Sequence, residues 1–293
     1  MLSTASRIFL LALAIDHASS APTAPADKMG SPAGLLVNVP IHSSCNGTQR
    51  AQIQKGLEDM RLLARASVER IHAFGPIDPI FVRYFGAEAD PAPVIGYLEE
   101  ILHGDKSGTV LRCDDPDGNC KLAGWAGHWR GDNATQETVI CEHSYHTRRP
   151  LEQICGFGYQ IARDSAAIYW GADLLHRLFH VPKVVSGKIS HVADGFAEVL
   201  ELARSNASAA VSNQESIQLF ALDAYSRTVV PEGCLGKPAA EDRALDIEAT
   251  GAAPPAQDEG LDPAPEPESP SSAEFPAADC HTHADGSAHC GAH

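Results

Sequence analysis

The sequence predicts a mainly α domain of the α+β class, with a small antiparallel sheet, disulfide-stabilised and followed by a disordered C-terminal tail. Three observations predict it. Apolar residues recur at helical spacing in several segments. Two short β-branched runs, at 109–113 and 138–141, flank a stretch rich in glycine, aspartate and aromatic residues. Cys45, Cys113, Cys120, Cys141, Cys155 and Cys234 fall in the same region, as expected of a chain that oxidises outside the cytosol. Their pairing is left open.

The chain divides by composition. Residues 1–20 combine Arg7, the apolar run 8–15 and small residues up to Ser20, the pattern of a secretory signal peptide. That run is too short to span a bilayer and no later segment is long enough, so no membrane insertion is expected. Residues 21–36, rich in Pro, Ala, Ser and Gly, read as a flexible lead-in, and 37–236 as the folded domain. Residues 237–279 are acidic, rich in Pro and Ala and poor in large apolar residues, so they read as a disordered linker. Three Asn-x-Ser/Thr sequons, at Asn46, Asn133 and Asn206, agree with export. The net charge is −16, most of it from the tail, and nucleic acid or an anionic membrane is not expected as a partner.

Taken in order, Thr48 is expected to cap a long helix striped by Ile53, Leu57, Met60, Ala64, Val68 and Ile71. Residues 80–85 extend its packing and 94–102 read as a second helix. The acidic run 114–120 suggests a calcium loop, but its glycine comes early and no glutamate stands twelve positions from Asp115, so it reads as a turn. His128, His143 and His146 have nothing to fix their geometry and read as structural or surface residues. Helices are predicted over 151–162, with Gly156 and Gly158 as interruptions, and over 165–180. Two more follow, from about His191 through Glu198 to Ser205 and over 216–225.

Chemistry concentrates in His176-Arg177-Leu178-Phe179-His180. Side chains four apart on a helix share a face, so the two imidazoles can grip one metal ion. In His-Glu-x-x-His zinc peptidases the second position is the general base; here it is Arg177, which stays protonated and cannot serve. Paired helical histidines are often merely structural, but His191 lies beyond the turn at 182–187 and is placed to fold back as a third zinc ligand. Asp194, Glu198 and Glu201 are spare carboxylates for ligand, supporting or base roles, and Asp223 is a further candidate. A second donor cluster closes the chain: Cys280, His281, His283, His289, Cys290 and His293. A short Cys/His tract of this kind is a compositional sign of zinc or copper binding, or of a small disulfide loop presenting histidines.

Cys45-Asn46-Gly47-Thr48-Gln49-Arg50, the run from Arg112 to Cys120, Gly124 to Arg130, Glu137 to Cys141, Asp173 to Pro182 and His191 to Glu198 together resemble the fungal pH-regulated antigen family. That family includes a fibrinogen-binding Aspergillus major allergen and the secreted zinc scavengers called zincophores. The likeness runs from about Val37 to Gly236, with the Cys/His tail as a second match. It implies a zincin or deuterolysin-like metallopeptidase scaffold in which His-Arg-x-x-His replaces the peptidase motif. It also implies an extracellular or cell-wall location, zinc capture and hand-over to a plasma-membrane zinc transporter, with host fibrinogen and complement regulators as further partners. Deuterolysins use an aspartate as third ligand, so Asp194 or Asp223 competes with His191. The alternative expectation is an active secreted zinc metallopeptidase, with Glu198 or another carboxylate as base and Arg177 on the substrate.

Overall fold

The structure is a computed structural model describing residues 39–237 and the backbone of two short strands, Asp279–Thr282 and Ala288–Gly291. The predicted signal peptide (1–20), the lead-in (21–36) and the linker (237–279), Lys237 and Asp279 apart, lie outside the described residues.

Helix α1 (Gly47–Phe74) is the element on which three other helices pack, and its predicted stripe is buried throughout. Its cap is Asn46, two residues before the predicted Thr48: Asn46 Oδ1 accepts from Gln49 N at 2.9 Å while Gln49 Oε1 accepts from Asn46 N at 2.9 Å, a reciprocal capping box. Helix α5 (Trp170–Phe179) crosses α1 at close range because glycines stand at the crossing. A Cβ on Gly171 would lie 2.8 Å from the Asp59 backbone, and one on Gly56 would lie 2.8 Å from Leu174 Cδ1. Asp59, buried in the stripe, accepts from Leu151 N at 2.9 Å and pairs with Lys55, which ties the segment leading to α5 onto α1.

Helices α2 (Pro79–Phe85) and α3 (Ala92–His103) follow α1. Phe81 and Phe85 of α2 pack on Phe220 of the last helix, with ring centroids 5.9 and 5.2 Å apart. Strands β1 (Val110–Arg112), β2 (Gly127–Trp129) and β3 (Glu137–Ile140) form a sheet in the order β1-β3-β2. The sheet is mixed, not antiparallel as predicted: β2 pairs with β3 antiparallel, but β1 pairs with β3 parallel. The long connection between β1 and β3 makes a parallel return possible, since a tight hairpin cannot supply one. After β3 come α4 (Glu142–Thr147), α5, α6 (Pro182–Val185), α7 (Gly195–Ser205), α8 (Ala207–Ala210) and α9 (Gln214–Val229).

The predicted helix over 151–162 does not form. A single 3-10 turn, Leu151–Gln153, gives way to a loop in which Cys155, Phe157 and Gly158 all have positive φ, and Cys155 is bridged to Cys234. Long-range cross-linking and left-handed backbone override the local apolar pattern there. The other pairs are Cys45–Cys113 and Cys120–Cys141. In the tail, β4 (Asp279–Thr282) and β5 (Ala288–Gly291) pair antiparallel, with Cys280 opposite Cys290 and His281 opposite His289. Among the described residues no helix is long and apolar enough to cross a membrane.

Candidate metal centre

Helix α5 ends where the sequence requires it. Pro182 has no backbone N–H to continue the ladder, so Phe179 is the last helical residue and His180 is the C-cap. His176 and His180 still lie one turn apart on the same side, and their Nε2 atoms are 2.9 Å apart. The chain then makes the short helix α6 and reverses at Ser186 and Gly187, both with positive φ. That reversal returns His191 to the pair, with Nε2 3.1 Å from His180 Nε2 and the two rings stacked at 4.8 Å. The candidate donor atoms of all three histidines lie within 4.8 Å of one another.

Three imidazole nitrogens facing one another are a poor arrangement for hydrogen bonding alone, because a neutral pair can share only one proton. They suit a cation. Zn–N bonds of about 2.0–2.1 Å at tetrahedral angles need nitrogens about 3.3 Å apart, so a metal ion would spread the observed 2.9 and 3.1 Å by only a few tenths of an ångström. Asp194 Oδ1 lies 3.3 Å from His191 Nδ1, the carboxylate support that holds Nδ1 as the donor and leaves Nε2 to act as an acceptor or ligand. The donor set and its support therefore fit a zinc-type ion. His180 is buried, whereas His176 and His191 keep partial exposure, so the group is open on one side.

Asn213, fully buried at the N-cap of α9, fixes the His191 loop. Its Oδ1 accepts from Val192 N and Ala193 N at 2.8 and 3.1 Å, and its Nδ2 donates to Ala193 O at 3.0 Å. Next to it, Gln214 N donates to Ser190 O at 2.9 Å. The sequence offered no signal for this clamp, since asparagine before a helix is an ordinary cap residue.

Arg177 points away from the histidines into the interior. Its Nε and Nη2 donate to Asp173 Oδ2 and Oδ1 at 2.8 and 3.1 Å, and Arg148 Nη2 also donates to Asp173 Oδ1 at 3.1 Å. Burial alone would raise the Asp173 carboxyl; the Arg148 and Arg177 guanidiniums outweigh it and hold the carboxyl below the usual range. The room for Arg177 comes from Gly127: a Cβ there would meet Arg177 Nη1 and Val139 O, each at 2.2 Å. A substrate-binding role for Arg177 is thus replaced by an internal brace.

The spare carboxylates separate. Glu198 is exposed and accepts from Asp194 N at 3.2 Å, at the start of α7, and Glu201 is exposed and paired with Arg204. Asp223 is not available as a ligand. It is fully buried and taken by Arg83 Nη1 at 2.6 Å, Tyr84 Oη at 3.1 Å and Arg227 Nε at 3.1 Å. A carboxyl that sequence reasoning missed is Glu215, near the start of α9: burial first, and then the charge of Asp194, push it up to about 8. His146 is exposed beside Glu142, and His128 is buried against Asp117. The tail candidates are placed only by backbone register, with His281 opposite His289 and Cys280 opposite Cys290; His283 and His293 lie outside the described residues.

A family model described as "HRXXH: Putative peptidase family" matches residues 2–237. The chain is 45% identical to "Major allergen Asp f 2" of Aspergillus fumigatus over 216 residues, 73% of this chain and 69% of the relative. It is 44% identical to "pH-regulated antigen PRA1" of Candida albicans, covering 67% of each chain. "Protein ZPS1" of Saccharomyces cerevisiae is 33% identical over 67% of this chain and 79% of its own. A zinc peptidase from Grifola frondosa superposes with a TM-score of 0.45 at 12% identity, over 60% of this chain and 96% of that one.

Proposed function

Because this chain belongs to the HRXXH putative peptidase family, we propose that it is a secreted fungal zinc carrier, which captures extracellular zinc and delivers it to a zinc transporter in the plasma membrane. Zinc is its cargo, held in the core by His176, His180 and His191 and in the tail by Cys280, His281, His283, His289, Cys290 and His293. One observation carries the reading: three imidazole nitrogens converge at 2.9 and 3.1 Å while the residue in the peptidase-base position is buried in an ion pair with Asp173. The site keeps the grip, and an arginine stands where the peptidase base would be. In the tail, the β4–β5 register that sets Cys280 against Cys290 and His281 against His289 supports a compact second donor group. Host fibrinogen and complement regulators are partners that the family resemblance implies.

Neutral imidazole is the metal-binding form, so affinity rises as pH passes histidine's ordinary value of about 6.5. This suits capture in alkaline surroundings. The test is calorimetric zinc titration of the mature protein beside a chain ending at Gly236. One tight zinc should survive truncation, disappear in His176→Ala and be released at about pH 5, and the further equivalents should vanish with the tail. Tight binding that persists in His176→Ala, or at that acidic pH, would overturn the core assignment.

The peptidase alternative loses support from the pairing of Arg177 and the exposure of Glu198. Glu215, buried and influenced by the charge of Asp194, is the carboxyl that would have to serve as its base. Proteolysis by the zinc-loaded protein that Glu215→Gln abolishes would replace the carrier reading.

A further inference from the structure

Apart from the histidine triad, the described residues bring one other set of metal-type donors together. Cys120, His128 and Cys141 place their sulfurs and an imidazole nitrogen within 4.8 Å of one another. Cys120 lies in the 3-10 turn Asn119–Lys121, His128 at the centre of β2, and Cys141 at the N-cap of α4. The sulfurs are joined as a disulfide, so in this state they offer no thiolate.

His128 makes the group more than a covalent bridge. It is 1% exposed, its Nε2 is 3.1 Å from Asp117 Oδ2, and its Nδ1 is buried without a hydrogen-bond partner. The carboxylate fixes the proton on Nε2 and leaves Nδ1 as a buried acceptor with no hydrogen-bond partner, which is unfavourable. A histidine that gives its other N–H to a carboxylate is the form in which imidazole ligates metals. Burial, against the pull of Asp117, keeps His128 below histidine's usual value.

We propose that Cys120, Cys141 and His128 form a redox-gated site for zinc or a similar thiolate-seeking divalent cation, closed while the disulfide stands and opened by reduction. With a trialkylphosphine as reductant, the S–S bond breaks, phosphorus is oxidised to the phosphine oxide with the oxygen of a water molecule, and the two hydrogens of that water end on the sulfurs. The cation then displaces those two protons to solvent and takes Nδ1 as third donor. At Zn–S distances of about 2.3 Å, tetrahedral angles need the sulfurs about 3.8 Å apart. Both cysteines sit in a turn or at a helix cap, where side-chain rotation can supply that separation. Reoxidation by a small-molecule disulfide, which takes up the two electrons and leaves as two thiolates, re-forms the S–S bond and returns the cation to solvent. The chain therefore holds one cation more in reducing than in oxidising surroundings, such as before its disulfides close.

The proposal is independent of the carrier reading, because the triad needs no reduction. Its test is alkylation of the full chain with iodoacetamide after phosphine reduction, with and without zinc, read cysteine by cysteine by tandem mass spectrometry. Zinc should slow labelling of Cys120 and Cys141 at least tenfold and leave Cys45, Cys113, Cys155 and Cys234 within twofold; His128→Gln should remove most of that protection. Equal labelling of Cys120 and Cys141 with and without zinc, or protection spread evenly over the six cysteines from Cys45 to Cys234, would overturn it; Cys280 and Cys290, candidate zinc ligands of the tail, are scored separately. Should His128→Gln not fold, cobalt titration of the reduced Cys280→Ser/Cys290→Ser chain, which lacks the tail thiols, decides: a sulfur-to-cobalt charge-transfer band that is lost when Cys120→Ser/Cys141→Ser is added supports the site. A band of unchanged strength after that addition refutes it. The same samples without phosphine report the triad, so failure at one site is not read as failure at the other.

Discussion

Replacing Arg177 with methionine separates a structural brace from a metal-site residue. In the wild type the guanidinium makes two charge-assisted bonds to Asp173, at 2.8 and 3.1 Å, and two long contacts at 3.5 Å to Val139 O and Ser144 Oγ. Bonds to a charged partner contribute about 1.5–3 kcal/mol each, and breaking a buried pair costs about 3–5 kcal/mol. Arg148 stays on Asp173 at 3.1 Å, so the carboxylate is not orphaned, and methionine refills part of the volume. The expected loss is therefore near the low end, about 3 kcal/mol. Asp173→Asn should cost more, because it removes the carboxylate charge that both Arg148 and Arg177 pair with. Arg177→Glu should be at least as damaging and create no peptidase, since the new carboxylate would lie one turn from Asp173 with Arg148 alone to neutralise both. The assay is urea denaturation of the zinc-free, disulfide-intact proteins, with zinc titration of each folded variant. A loss below about 1 kcal/mol in Arg177→Met, together with loss of tight zinc, would show that Arg177 acts on the metal, and the brace argument would fall.

Glu215 has its folded pKa raised from an ordinary 4.5 to about 8, so its contribution to stability is complete below 4.5 and is lost as pH rises through about 8. At about 1.4 kcal/mol per unit this amounts to a few kcal/mol; zinc-free Glu215→Gln should flatten the fall in stability between those values, and an unchanged pH profile would refute the burial argument. Gly127→Ala should destabilise by about 1–3 kcal/mol or more, because its methyl would run into Arg177 and Val139 O. Gly96→Ala, in α3 with nothing within 4 Å, should instead stabilise by about 0.5–1 kcal/mol; thermal melts of the two variants compare them directly.

Much of the fold and half of the site were legible in the chain. Helical spacing sufficed for the α1 stripe, for α9 and for the pairing of His176 with His180, because period and caps are local properties. The three disulfide pairs were not legible, nor was the mixed sheet, since neither follows from local pattern. The loop at 154–158 defeated the helix reading for the same reason: an apolar pattern cannot announce a bridge to Cys234.

What the sequence determined by itself is the helix that sets two imidazoles one turn apart, and the arginine where a peptidase would keep its base. Only the tertiary structure decided that His191 returns to complete the triad, held by Asn213 from α9, and that Asp223 is consumed by Arg83, Tyr84 and Arg227. It also decided that Arg177 turns inward to Asp173 through the space left by Gly127. The reason is physical. A helical period fixes which face a side chain occupies, but its charge state and partners depend on what the rest of the chain brings to that face, and a buried charge must find its partner there.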